Sequence, residues 1–74
     1  MTLGQRISEY RKKLGISQEE LGARLGVSRQ AVSKWERGEA DPSTANLLAL
    51  GRLYGVPAEE LLRAVTGEKN PDTP

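Results

Sequence analysis

The stretch Gly26-Val27-Ser28 limits the possible folds of this chain more than any other. Leu21 and Leu25 close one helical run, Gly26 stops it, and Ser28 offers the N-cap of the next run only two residues later. Helices joined by so short a turn must cross steeply. A steep crossing needs a small residue on the inner face of the first helix, and Gly22 stands there. It also needs a residue that tolerates positive φ at the corner, which Gly26 supplies. Leu21, Leu25, Val27, Val32 and Trp35 then close a shared core beneath the turn.

The rest of the chain reads as helices of the same kind. Leu3, Ile7, Tyr10 and Leu14 fall within about 60° of one another at helical spacing, which predicts helix 1 with its stop at Gly15. Ser17-Gln18-Glu19-Glu20 reads as a capping box, Ser17 taking the Glu20 backbone N–H while the Glu20 carboxylate reaches back. Helix 2 runs from there to about Leu25, and helix 3 spans about 29–37 and ends at Gly38. Ser43 or Thr44 caps helix 4, which is expected to bury Leu47, Leu48, Leu50 and Leu53 before Gly55. Pro57 opens helix 5, with Leu61, Leu62 and Val65 as its apolar positions. No strand and no internal repeat are expected. The reading is all-α, five helices in one domain over residues 1–65, with residues 66–74 as a flexible tail or linker stub.

Composition removes whole classes of function. The 74 residues include no Cys and no His, so zinc ligation, haem ligation, thiol nucleophiles and Ser-His relays are all unavailable. A chain of this size buries roughly 60% of its unfolded surface, which leaves no room for a deep substrate cavity. No enzyme, cofactor or metal is expected. No apolar run approaches the roughly 18 residues of a membrane span, and the first twenty residues lack a signal-peptide core. The expected location is the cytoplasm, with no membrane partner.

A net charge of +1 looks like a poor start for a nucleic-acid partner, but it is a sum over two unlike halves. Residues 1–38 carry eight cations against four carboxylates, a balance of +4, while residues 39–74 stand at −3. Helix 3 concentrates the asymmetry. On a helical wheel Ala31, Trp35 and Val32 lie at about 200°, 240° and 300° from Arg29, forming a buried face. Arg29, Ser33, Arg37, Gln30 and Lys34 fill the arc from 0° to about 140°, with no carboxylate among them.

Such a face matches the donors and acceptors of the DNA major groove. Arg or Lys donates to guanine O6 and N7, and Gln pairs with adenine N6 and N7. Charges shown to water are ordinary on any soluble helix, so it is the tight turn and its apolar support that make this one specific. Trp35 sits between Ala31 and Val32 on the wheel and is read as core rather than as a base-stacking residue. Glu19, Glu20, Glu59 and Glu60 occupy first turns, where the helix dipole favours carboxylates. Lys12 and Lys13 read as a solvated face.

Residues 18–37, led by Ser17-Gln18-Glu19-Glu20-Leu21 and followed by Ser33-Lys34-Trp35-Glu36-Arg37-Gly38, resemble the phage-repressor/Cro (XRE-type) helix-turn-helix family. The resemblance extends over about residues 3–65, including Tyr54-Gly55-Val56-Pro57 and Glu59-Glu60-Leu61-Leu62. It implies a five-helix lambda-repressor-like domain that binds double-stranded DNA as a homodimeric transcriptional regulator, a repressor. It further implies base reading by Ser28, Arg29, Gln30, Ser33 and Lys34, and phosphate contacts by Ser17, Gln18, Arg11 and Arg37. Arg11 and Glu36 match an interhelix ion pair, so Arg11 carries two candidate roles. Glu39, Ala40 and Asp41 stand where tightly binding relatives often place basic or amide residues, which implies moderate affinity per domain. The alternative is a protein-interaction module, antitoxin-like or regulator-binding, that takes a protein partner at helices 4 and 5.

Overall fold

The computed structural model describes residues 2–66, with side chains described through Arg63. It contains α1 (Leu3–Leu14), α2 (Gln18–Leu25), α3 (Arg29–Arg37), α4 (Thr44–Tyr54) and α5 (Ala58–Thr66). No strand occurs among the described residues. The expected tail falls almost wholly outside them, as does the Val65 side chain.

Each helix begins and ends for a local reason. Ser17, Ser28 and Ser43 are the N-caps of α2, α3 and α4, accepting the backbone N–H of Glu20, Ala31 and Asn46 at 3.0, 3.1 and 3.2 Å. Of the two candidates for α4, Ser43 therefore does the capping. The complete capping box stands on α1, where Thr2 and Gln5 exchange hydrogen bonds of 2.9 and 3.1 Å. On α2 only half of the expected box forms. The Glu20 carboxylate turns to Arg24, 2.8 Å away one helical turn along, instead of reaching back to Ser17.

One residue or two from every helix meet in a single core. Ile7 of α1, Leu21 of α2, Val32 of α3, Leu50 of α4 and Leu61 of α5 are fully buried, with Leu3 and Trp35 nearly so. Each such side chain contributes about 1.5–3 kcal/mol of transfer free energy, so burial of this small set is what holds the helices together. Leu25 and Val27 pack against it half-buried. Three leucines expected inside are outside: Leu14 is 46% exposed, Leu48 47% and Leu62 40%. Leu14 stands at the last turn of α1, and Leu48 and Leu62 follow directly on a half-buried or buried leucine, so a run of two leucines cannot put both inward.

α1 is the central post, in contact with α3, α4 and α5. It meets the end of α3 at Gly4, where an added Cβ would stand 2.3 Å from the Trp35 carbonyl oxygen. Tyr54 ties α4 to the same post by donating its hydroxyl to the Ile7 carbonyl at 3.0 Å and stacking on Tyr10 at 5.1 Å. Burial, then the nearby Glu36 charge, pushes the Tyr54 hydroxyl pKa up, so it remains a donor throughout the physiological range.

A repeat that sequence inspection missed becomes plain in the backbone. Leu21-Gly22 with Gly26-Val27 and Leu50-Gly51 with Gly55-Val56 build the same corner. In both, the second glycine lies at φ 77° or 76°, and the valine N–H donates to the first glycine's carbonyl at 2.9 Å. An added Cβ on either first glycine would meet the valine carbonyl oxygen at 2.7 Å. The α2–α3 turn thus has a structural twin in the α4–α5 turn.

Candidate nucleic-acid interface

The first corner presents α3 to solvent and holds it from behind. Val32 and Trp35 are buried, Ala31 is half-buried, and Arg29, Gln30, Lys34 and Arg37 are exposed, as the wheel predicts. Ser33 is half-buried and accepts a hydrogen bond from Arg37 Nη1. The Ser28 hydroxyl oxygen is occupied by the Ala31 N–H, but a hydroxyl that accepts in this way keeps its own hydrogen to donate. Ser17 stands in the same state at the start of α2.

Beside α3 lies a network that joins three elements. Glu36 Oε2 accepts from Arg11 Nε at 2.7 Å, and Oε1 accepts from Arg11 Nη2 at 3.1 Å and from Gln18 Nε2 at 2.9 Å. Arg11 Nη1 donates to the Ile16 carbonyl at 2.8 Å. The two charged side chains are only 12% and 7% exposed, so this is a largely buried pair with most of its hydrogen bonding satisfied. Burial pushes the Glu36 carboxyl up, yet the hydrogen bonds from Arg11 and Gln18 outweigh it and hold its pKa below the usual glutamate range. The Arg11 pKa is raised, chiefly by its hydrogen bond to Glu36.

The Arg11–Glu36 pair was expected; the participation of Gln18 was not. An amide nitrogen has two hydrogens, and Glu36 takes one. Gln18 is therefore oriented by α3 although it belongs to α2. Both its spacing of eighteen residues from Glu36 and the crossing angle that brings them together are invisible in a linear reading. A second unforeseen contact sits at the other end of α3, where Arg37 forms a two-pronged pair with Glu39 at 2.9 and 3.1 Å. The hydrogen bond and charge of Arg37, with a lesser contribution from Lys34, hold the Glu39 carboxyl below its ordinary pKa.

A family model described as helix-turn-helix matches residues 7–61. The chain belongs to the helix-turn-helix family, in its phage-repressor/Cro branch. Within that family it is 43% identical over 68 residues to repressor protein C2 of Salmonella phage P22, covering 92% of this chain and 32% of the relative. It is 40% identical over 62 residues to the HTH-type transcriptional regulator ImmR of Bacillus subtilis (strain 168), covering 84% of this chain and 49% of the relative. The chain thus spans about a third and about half of these two relatives. The crystal structure of the P22 c2 repressor in complex with a synthetic operator matches it with a TM-score of 0.82 and 44% identity, covering 86% of this chain and 97% of that one.

Among the described residues, the helix-turn-helix domain contains no group of His, Cys, Asp and Glu able to hold a metal ion and no helix long and apolar enough to cross a membrane. An open cleft between α1 and α3 is lined by Gln5, Ser8, Glu9, Lys12 and Glu36. Its mixed charges and width suit neither an apolar ligand nor a phosphate.

Proposed function

We propose that this domain binds double-stranded DNA sequence-specifically by inserting α3 into the major groove, and that it acts in the cytoplasm as a transcriptional repressor. The observation that carries this reading is a helix fully supported on one side and bearing Arg29, Gln30 and Lys34, without a carboxylate, on the other. Ser28 and Ser33 join those three as base-reading residues. Ser17 and Gln18 supply phosphate contacts, helped by the backbone N–H groups at the start of α2, and Arg37 is placed at the end of α3 for a further one. Arg11 acts mainly through Glu36, orienting α3 and Gln18, and two of its guanidinium hydrogens remain for a phosphate. The repressor and operator named among its relatives support the same reading.

Two copies would occupy half-sites roughly one helical turn, about 34 Å, apart, pairing through α4 and α5, where Leu48 and Leu62 are exposed. Binding of a different protein through those helices is the competing reading, less favoured by the relatives than DNA binding. Selection of bound duplexes from a random pool tests the proposal. One enriched palindrome is expected, and an unenriched pool would sink it. Arg29→Ala should then alter the preferred sequence, at about 1–3 kcal/mol of discrimination, while Gln18→Ala weakens all sequences alike. Retention of a protein partner at high salt, with no duplex enriched, would favour the competing reading.

A further inference from the structure

Arg37 closes the exposed cationic face of α3, and its guanidinium is already engaged. Nε and Nη2 reach the two oxygens of Glu39, and Nη1 donates to the Ser33 hydroxyl. Glu39 is not a loosely tethered neighbour. Its backbone N–H donates to the Lys34 carbonyl at 2.9 Å, and Gly38 before it turns the chain at φ 79°, so the cap of α3 itself aims the carboxylate. The pair lies in the open, with side chains 55% and 53% exposed, and contributes little to folding. Its significance lies in competition, because a phosphate and the Glu39 carboxylate would call on the same donors of Arg37.

We infer that Glu39 is an internal counter-charge that withholds Arg37 from the DNA backbone and so acts as a sequence-independent brake on DNA affinity. The inference rests on the DNA-binding reading above. A phosphate contact carries no sequence information, so the brake acts equally on operator and on arbitrary DNA. It keeps one domain weak enough that occupancy requires two.

The test is a titration of the protein against a mixed-sequence duplex and against a duplex enriched by selection, each over a range of KCl. Wild type, Glu39→Gln, Arg37→Ala, the double variant and Asp41→Asn are compared, with thermal unfolding to verify that each is folded. Glutamine keeps the size of Glu39 and removes its charge. Freeing one phosphate contact steepens the log-affinity against log-salt slope by about 0.9 and strengthens binding about five- to tenfold at 0.1 M salt. Glu39→Gln should show that gain on both duplexes, the gain should vanish in the Arg37→Ala background, and Asp41→Asn should give less than half of it on a logarithmic scale. A gain that survives Arg37→Ala, an equal gain from Asp41→Asn, or no gain at all would overturn the inference while leaving DNA binding intact. Wild type that binds neither duplex at low salt would overturn both.

Discussion

The corner between α2 and α3 and the corner between α4 and α5 share one backbone and carry different chemistry on the helix that follows. Each has a glycine where the helices touch, a left-handed glycine that turns the chain, and a valine whose N–H closes the turn. Beyond the corner, Val32 and Leu61 occupy equivalent buried positions. The outward positions diverge where the helix starts: Arg29 and Gln30 on α3 correspond to Ala58 and Glu59 on α5, while Lys34 and Arg63 are both cations. The corner is therefore a scaffold device, and what a helix after it can bind is decided by residues the corner does not constrain. A further difference lies behind the helices, because α3 is fastened to α1 by a glycine contact and a buried ion pair.

The largest effect should come from breaking that fastening. An alanine at Gly4 would place its Cβ 2.3 Å from the Trp35 carbonyl and 2.9 Å from that of Glu36, and neither backbone can yield without moving a helix. Gly4→Ala should cost about 3 kcal/mol, the upper end for overpacking, beyond what the better helix propensity of alanine restores. Urea denaturation measures it. A loss under about 1 kcal/mol would mean that α1 and α3 can separate freely, and that the packing which distinguishes α3 is not a constraint.

The ion pair comes next. Glu36→Gln leaves Arg11 largely buried without its counter-charge and should cost about 3 kcal/mol near neutral pH, whereas replacing both by apolar residues should cost much less. Because the Glu36 pKa is lowered on folding, the unfolded chain takes up the proton more readily as pH falls. The pair's contribution is therefore complete above the ordinary glutamate range of about 4–5 and is lost as pH drops through the lowered folded value. Stability curves of wild type and Glu36→Gln should converge at acid pH. Parallel curves would remove the pair from the account of why α3 is rigid.

How much of this was legible beforehand depends on the distance between the residues involved. Caps, stops and the buried face of α3 are local, and Ser17, Ser28, Gly26, Gly38, Val32 and Trp35 could be placed from spacing alone. The helical wheel gives an angle but not a neighbour, so it put Leu14, Leu48 and Leu62 inside although they stay 46%, 47% and 40% exposed. The Gln18–Glu36 bond depends on a crossing between helices that no window of sequence contains. Arg37–Glu39 was within reach, since directly after a left-handed glycine cap a side chain can fold back on the last turn. The twin corner was hidden because its two copies share only Leu-Gly and Gly-Val, while Ser28 faces Pro57, Arg29 faces Ala58 and Gln30 faces Glu59.

The twin corners themselves can be tested by matched substitutions of moderate effect. Gly22→Ala and Gly51→Ala meet the same obstacle, a valine carbonyl oxygen 2.7 Å from the new Cβ, and should cost about 1–2 kcal/mol each, within about 0.5 kcal/mol of one another. Their effects on DNA should differ. Opening the first corner tilts α3 away from the helix that carries Gln18, so Gly22→Ala should weaken binding beyond its loss of stability, and Gly51→Ala should not. Equal losses of binding would show that α4 and α5 position the reading helix as much as α2 does.

The smallest effect separates the corners at the residue just before the second helix. Ser28 accepts the Ala31 N–H at 3.1 Å, so Ser28→Ala should cost about 1 kcal/mol, the usual worth of a hydroxyl N-cap. Pro57 has no such acceptor and starts α5 by its fixed φ and by Glu59 and Glu60 in the first turn. Pro57→Ser would gain a cap and surrender the restriction that proline places on the unfolded chain, two terms of about 0.5–1 kcal/mol and opposite sign. The net change in urea-unfolding free energy should lie within about 0.5 kcal/mol of zero. A stabilisation above 1 kcal/mol would mean that α5 begins with an uncapped end, and that the second corner is a weaker copy of the first rather than an equal one.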